Sequence, residues 1–466
     1  MDGMLDVVVM AAGKGTRMKS ARPKVLHRLA GRPMLRHVLD TVASLDARAV
    51  VVVTGHGAEQ VEAASTPDAL AGKLGFVRQE PQRGTGDAVR FAAPSLRADG
   101  TVLILNGDVP LIAADTLRAL AAAARPDALA LLTIELDDPT GYGRIVRDGA
   151  GLVQAIVEQK DASEAQRAIR ETYTGVMAVP GARLGGWLAR LSDDNAQKEF
   201  YLTDLVAMAV ADGVAVQAVR TRDAVEVAGV NSPLQLSQLE RAYQRRQAEA
   251  QLEAGVRLAD PARFDLRGRL HCAADVEIDV GCIFEGVVEL GEGVRIGAHC
   301  VIADARIAAG TVVHPFSHIQ GEKAGVEVGG NARIGPFARL RPGARLGDEV
   351  HVGNFVEVKN STLAAGAKAN HLAYLGDSTV GERVNFGAGS ITANYDGVNK
   401  HRTTIGDDAS IGSNCVLIAP VTIGAGGTVG GGSTVSRDTP PGTLTVARAR
   451  QVSLERWKKP TKKAAE

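Results

Sequence analysis

Between residues 278 and 435 this chain repeats an aliphatic or aromatic side chain every six residues, a period that neither a helix (3.6) nor a pleated strand (2) generates. The positions form three runs. The first is Ile278, Phe284, Leu290, Ile296 and Ile302, and the second is Val328, Ile334, Leu340, Leu346, Val352 and Val358. The third is Ile405, Ile411, Leu417, Ile423, Val429 and Val435. A glycine often comes next, as at Gly291, Gly297, Gly335, Gly406, Gly412 and Gly424. Such a pattern predicts a hexapeptide β-helix, in which each coil stacks its aliphatic side chain on the coil below and a few coils bury a continuous core. Cys282, Cys300 and Cys415 each lie four residues after a ladder aliphatic, where a small inward side chain belongs. A polar stretch, ANYDGVNKHRTT (residues 393–404), interrupts the ladder before Ile405 and reads as a loop leaving the solenoid, a common place for a binding surface. A smaller break, SHIQGEKAG (residues 317–325), reads as another loop.

Ahead of the repeat the chain has a different grammar. Short apolar runs at residues 6–10 (DVVVM), 49–54 (AVVVVT), 101–105 (TVLIL) and 129–133 (LALLT) alternate with Ala- and Leu-rich helical stretches. Continuous β-branched runs with helices between them predict a parallel α/β sheet, whose ligands gather at the carboxyl ends of the strands. Two polar loops, one after the first run and NGDVP (residues 106–110) after the third, therefore share an edge and propose one site. Residues 233–253 lack glycine, begin with proline and place Leu236, Leu239 and Tyr243 at helical spacing. They predict one long, mostly exposed helix between domain 1–231 and domain 254–466, with 232–253 as the linker.

A chain of 466 residues is long enough for two or three cores. Its 53 basic and 53 acidic residues balance, which argues against nucleic-acid binding through bulk charge. No apolar run approaches membrane-spanning length. The four cysteines, Cys272 with the three above, form no C-x-x-C pair and have no histidines at zinc spacing, so free thiols in a reducing, cytoplasmic compartment are expected.

The loop after the first run, VVMAAGKGTRM (residues 8–18), looks built for phosphate yet fits neither familiar pattern. A Walker loop needs G-x-x-x-x-G-K-[ST], and a dinucleotide loop needs G-x-G-x-x-G, whereas here the last position is Met18. Glycines still allow close backbone approach, successive N–H groups make an anion nest, and Thr16, Arg17 and Lys24 add a hydroxyl and two cations.

Taken together, AAGKGTRM (11–18) with PKVL (23–26), then RLRPG (339–343), HVGNFVE (351–357) and NYDG (394–397), resemble one family over nearly the whole chain. It is the bacterial bifunctional N-acetylglucosamine-1-phosphate uridyltransferase / glucosamine-1-phosphate acetyltransferase family. The resemblance implies a Rossmann-like nucleotidyltransferase domain, a linker helix and a left-handed parallel β-helix of hexapeptide repeats. It implies two reactions: acetyl-CoA-dependent acetylation of glucosamine 1-phosphate, then Mg²⁺-dependent uridylyl transfer from UTP. It also implies a homotrimer, acting on small molecules and on neither nucleic acid nor membrane.

By the same resemblance, Ala11, Ala12, Gly13, Gln79, Gly84, Thr85 and Asn106 belong to the nucleotide site, with Arg17 and Lys24 on the triphosphate and Asp108 and Asn231 holding the metal. Gly143, Glu158, Tyr173 and Thr174 match sugar positions, Tyr173 standing where the family has asparagine. In the second half, acetyl transfer to an amine requires a base, and the residue implied is His371. Arg341, Lys359, Tyr374 and Asn385 match contacts to glucosamine 1-phosphate. Ala388, Asn394, Tyr395, Ser413, Gly431 and Arg448 match acetyl-CoA positions, Gly431 replacing the usual alanine. Period supplies an independent argument here. Arg341 follows Leu340 and Lys359 follows Val358, one 18-residue coil apart, so two cations should stack, an arrangement that favours an anion between them. A basic tail (Arg448, Arg450, Lys458, Lys459, Lys462, Lys463) reads mainly as solvated, with Arg448 the residue expected to meet coenzyme A.

Overall fold

The computed structural model describes residues 4–460, which fall into two compact units, one up to Tyr243 and one from Gln244. The first unit is built on a nine-stranded sheet. Its strands are β1 (Leu5–Met10), β2 (Ala49–Thr54), β3 (Leu74–Arg78), β4 (Thr101–Asn106), β5 (Ala128–Glu135), β6 (Gly143–Arg147), β7 (Val153–Val157), β8 (Glu171–Pro180) and β9 (Ala215–Arg220). The order is β9-β5-β8-β4-β1-β2-β3, and β6 joins β8 to β7 at the side.

Alternation along the central strands explains the layers. Val7, Val9, Val50, Val52, Leu103 and Leu105 enter one buried cluster with Leu35, Val38 and Leu39 of the helix Met34–Ala43. Val8, Val51, Val53, Val102 and Ile104 enter the opposite one with Val89 of Thr85–Ala92 and Trp187 of Gly181–Arg190. Both faces are dry, so nearly every residue of these strands is apolar. The sheet departs from the all-parallel expectation: β8 runs antiparallel to β4, β5 and β6, and β7 antiparallel to β6, making it mixed. β8 also bulges between Tyr173 and Met177, where Gly175 adopts φ +86° against the Asn106 amide. Met10 pairs with Val53 and Asn106, so the loops after β1, β2 and β4 open side by side.

The helix Pro233–Glu253 spans the division between the units. Leu236, Leu239 and Tyr243 pack with Met18, Leu29 and Met34 of the first unit. Gln244 exchanges two hydrogen bonds with the Leu266 backbone, and Ala248 enters the core of the second.

That second unit is a parallel β-helix of the left-handed kind. One sheet has 11 strands; the other has two arms joined at Val301–Ile307, giving three faces. Every ladder residue named from the period is buried, at most 5% exposed. The gaps between the runs are filled too, by Ile307, Val313, Ile319 and Val326, and by Leu363, Ala369, Leu375, Val380 and Phe386. Spacings of five occur there, and Ile319 to Val328 is nine, so a strict period of six passes over them. Cys282, Cys300 and Cys415 are buried among these side chains, and all four cysteines are free thiols. Along one corner His299, Phe316, Phe337 and Phe355 stack ring on ring at 5.1–5.3 Å, each in the left-handed region. Among the described residues no helix is long and apolar enough to cross a membrane.

Candidate functional site

In the first unit the glycine loop, the NGD turn and the loop before Thr85–Ala92 enclose a cavity of about 450 Å³. Its walls include Ala11, Ala12, Gly13, Lys24, Gln79, Gly84, Thr85, Asn106 and Asp108, nine residues expected from the sequence. The loop's glycines have steric reasons. Gly15 sits at φ +60° with the Lys24 stem packed where a Cβ would go. Gly84, at φ +106°, lies against the Phe200 carbonyl. Gln79 donates to the Gly84 carbonyl and to Asp87, both at 3.0 Å, and the Thr85 hydroxyl accepts from Leu202 N–H at 3.1 Å. These bonds shape the wall.

At the cavity floor the Lys24 ammonium donates to the Asp108 carboxylate and, at 3.1 Å, to the Asn231 side-chain carbonyl. Lys24 is 84 residues from the first and 207 from the second. Val230 N–H donates to the Asp108 carbonyl, which ties the two oxygen donors together through the backbone. Two hard oxygen ligands converging on one cation are a donor set suited to a divalent metal that keeps several waters.

Other residues fall elsewhere. Arg17 is exposed on the turn Thr16–Met18 and does not reach the cavity wall. Gly143 pairs with Tyr173 across β6 and β8, and Glu158 lies beside Gly143, so these three sugar positions do cluster. Burial pushes the Glu158 carboxyl above its ordinary range, against a hydrogen bond from Thr203 at 3.1 Å. The Tyr173 ring is part of the core, its hydroxyl buried without a hydrogen-bond partner, and Thr174 spends its hydroxyl on the Leu132 carbonyl. Sequence reasoning passed over Gln82, which lines the cavity and donates to the Ala12 carbonyl at 2.7 Å, and Glu199.

In the second unit β-pairing sorts the residues into columns. Asn354 pairs with His371, and continuing the register places Ala388, Ser413 and Gly431 in the same column. Arg448 donates to the Gly431 carbonyl at 2.6 Å and caps it. So His371 and four of the six positions expected for acetyl-CoA form one line of small side chains ending in a cation.

Around the corner at Leu372, Leu340 pairs with Val358 and Lys359 with Gly376, so Arg341 and Lys359 do stack. The chain supplies part of the compensating charge. Arg341 donates to Glu357 at 2.8 Å, and Asp377 lies near Lys359. A third cation joins them: Lys400, from the insertion, stands against Lys359 and, with burial and Arg341, lowers its ammonium below the ordinary lysine range. Lys400 was not found from sequence because nothing in a loop of that composition marks which lysine folds back. The Tyr374 hydroxyl lies over Gly376, directly above Lys359 in the stack. Asn385 is exposed on the His371 face, paired with Lys368.

Asp377 organises the insertion. Its N–H donates to the Lys359 carbonyl, its carbonyl accepts from Thr403, and its carboxylate accepts from the amides of Asn360 (2.5 Å) and Asn394. Both ends of the loop are thereby pinned. Within it Asp396 accepts from two backbone N–H groups and His401, holding its carboxyl far below the usual range, while Tyr395 is exposed. In the tail, Arg450, Lys458 and Lys459 are exposed; Lys462 and Lys463 lie outside the described residues.

The MobA-like NTP transferase domain family matches residues 7–176, and the bacterial transferase hexapeptide (six repeats) matches 325–360 and 402–437. The chain is 70% identical over 471 residues to the bifunctional protein GlmU of Acidovorax ebreus, with 99% of each chain covered. It is 70% identical over 463 residues to that of Methylibium petroleiphilum, covering 99% of this chain and 100% of the relative. With the Bordetella petrii protein of the same name the identity is 58% over 464 residues, at 99% and 100% coverage. The chain belongs to the bifunctional GlmU family, an enzyme that joins a nucleotidyltransferase half to a hexapeptide transferase half.

Proposed function

We propose that the chain acetylates glucosamine 1-phosphate with acetyl-CoA and then transfers a uridylyl group from UTP to the product, releasing pyrophosphate and giving UDP-N-acetylglucosamine. The observation that carries this reading is a separate group of cations in each unit, suited to a phosphate: Lys24 with the glycine loop in one, Arg341, Lys359 and Lys400 in the other.

In the acetyl site the amine of the sugar phosphate must lose its proton to become a nucleophile. His371 takes the proton as nitrogen attacks the thioester carbonyl, and coenzyme A leaves as its thiol. Arg341, Lys359 and Lys400 hold the 1-phosphate dianion, with Tyr374 and Asn385 on the sugar. Ala388, Ser413 and Gly431 let the extended donor lie close to the backbone, with Arg448 meeting its phosphates and Asn394 and Tyr395 at the acetyl junction.

In the uridylyl site the attacking group is already an anion, a phosphate oxygen directed at the α-phosphorus of UTP. Catalysis is therefore alignment and charge neutralisation. Asp108 and Asn231 would hold Mg²⁺, which supplies positive charge to the leaving pyrophosphate. Lys24, the partner of Asp108 in the structure, turns to the triphosphate, and Arg17, which stands outside the cavity wall, meets it only by extending its side chain over the glycine loop. Gln79, Gly84 and Thr85 read the base, Asn106 lines the nucleotide cavity, and Gly143 and Glu158 form the sugar end, with Tyr173 and Thr174 behind them contributing backbone rather than side chain. The halves correspond to residues 1–231 and 254–466, joined by 232–253. The enzyme works as a homotrimer in the cytoplasm, with acetyl sites between subunits, since closed cyclic symmetry would cover the apolar corner of the solenoid.

Thiol release from acetyl-CoA with glucosamine 1-phosphate tests the first half, and UTP-dependent pyrophosphate release with N-acetylglucosamine 1-phosphate, against other sugar phosphates, tests the second. Activity in both, with only thiol release lost in His371→Ala, is expected. Absence of thiol release in wild type would overturn the acetyltransferase assignment.

A further inference from the structure

A base is useful only if the correct ring nitrogen carries the lone pair. His371 ends the strand Lys368–His371, just before the left-handed corner residue Leu372. Its side chain is exposed, and a free imidazole in water interconverts between two tautomers. Its column neighbours narrow the choice. Ala388 follows in the next coil and offers nothing beyond a methyl group. Asn354 precedes it in the coil before, ending the strand His351–Asn354 at the corresponding place ahead of Phe355. The Nδ1 of His371 is 2.7 Å from the Asn354 Oδ1. One coil further down the register brings Pro336, whose ring neither donates nor accepts, so within the column the Asn354 side chain has only His371 to bond.

We propose that Asn354 is the positioning residue of the acetyl-transfer base: its side-chain carbonyl accepts the Nδ1–H of His371, which fixes the tautomer and leaves Nε2 as the nitrogen that takes the proton from the amine. The inference rests on His371 being that base. A neutral acceptor is chemically apt. A carboxylate at 354 would hold the ring equally well but would stabilise the imidazolium, so that at neutral pH the base would already be protonated. Backbone pairing sets the alignment: Leu372 N–H donates to the Asn354 carbonyl at 3.0 Å, locking the two coils at this level.

Other ionisable groups around His371 are few and differ in kind. Lys368 lies on its own strand, with His351 paired to it in the coil before. Around the corner are Tyr374 and, paired to it, Glu357, which is bonded to Arg341. The coil above, residues 385–391, contains no titratable side chain. No carboxylate of the described residues forms an ion pair with His371 within 4.0 Å.

The test uses the full-length enzyme and three variants, with acetyl transfer followed from pH 6 to pH 10 and uridylyl transfer as the control for folding. Asn354→Leu removes the acceptor and is expected to lower kcat for acetyl transfer about 10- to 100-fold, part of what a general base contributes, with KM for acetyl-CoA little changed. Asn354→Asp keeps an acceptor and is expected to retain most of the rate at high pH while its acid limb moves up by about one pH unit. An unmoved acid limb in Asn354→Asp together with an Asn354→Leu rate within about threefold of wild type would overturn the proposal. If Asn354→Leu also loses uridylyl transfer, the pH shift of Asn354→Asp alone decides. The third variant separates the layers: if His371→Ala keeps its acetyl transfer, the assignment of the base itself is wrong.

Discussion

The two candidate sites are made by opposite means. In the first unit Lys24, Asp108 and Asn231 come from three segments far apart in sequence: Lys24 and Asp108 follow the neighbouring parallel strands β1 and β4, and Asn231, which comes after the edge strand β9, is drawn in where Val230 N–H bonds the Asp108 carbonyl. In the second, His371 and Asn354 lie 17 residues apart in adjacent coils, and strand pairing carries the column on through Ala388, Ser413 and Gly431 although the insertion lengthens one coil. The first is a convergence of loops on a rigid sheet edge; the second is a column read off a repeat. A loop site depends on what each loop bonds to, whereas a column site depends on the register beneath it. Damage should therefore spread differently.

The comparison breaks most visibly at Asp108. Replacing it by alanine should lower pyrophosphate release by on the order of 10³-fold, as loss of a preorganised charge at a phosphoryl site does, and leave thiol release within about twofold. A parallel fall in both would show that the halves are not independent. Lys359→Ala comes next. It removes one of the three cations proposed to hold the phosphate, and KM for glucosamine 1-phosphate should rise about 10- to 100-fold, with pyrophosphate release unaffected. An unchanged KM would place the phosphate elsewhere. A smaller functional effect but a clear structural one is expected from Leu340→Ala, a fully buried ladder position. The cavity should cost about 2–5 kcal/mol, and thermal inactivation of acetyl transfer should advance while uridylyl transfer survives. The weakest effect concerns the inward thiols. Burial raises Cys282 to about 11 and Cys300 to about 12, from an ordinary thiol value of 9.0. The folded state thus holds protons the unfolded state releases, so this contribution is intact below about pH 9 and fades as pH rises through the folded values. Denaturant midpoints of the second unit at pH 8 and pH 10.5, in wild type and Cys300→Ala, measure it; the variant should lose less on going to high pH.

Much of the solenoid was legible because its period records a physical repeat. Each aliphatic residue from Ile278 to Ile302 faces the core because the coil has three sides of six residues. Where a corner drops a residue, as before Leu363 and Val380, or three are inserted, as before Val328, strict counting fails although the pairing continues. Arithmetic also placed Arg341 over Lys359, but the loop lysine and Glu357 that share their field became visible only in three dimensions. The first unit was harder. Its strands announced themselves through runs such as AVVVV, yet the reversal of β8 left no trace in a run buried on both faces. No spacing rule joins Asn231 to Asp108. Family resemblance supplied that pairing, and the Lys24 bridge gives it geometry.

The shared helix Pro233–Glu253 sets a limit on dissection. Cutting the chain before it would strip Leu239 and Tyr243 from the Met18–Met34 cluster, leaving the nucleotidyltransferase half with an open apolar edge. Cutting after it would leave the Leu266 backbone without the side chain of Gln244 and the core without Ala248. Two enzymes that look separable on paper thus have no neutral seam between them, and monofunctional fragments would each need to carry a copy of the same 21 residues.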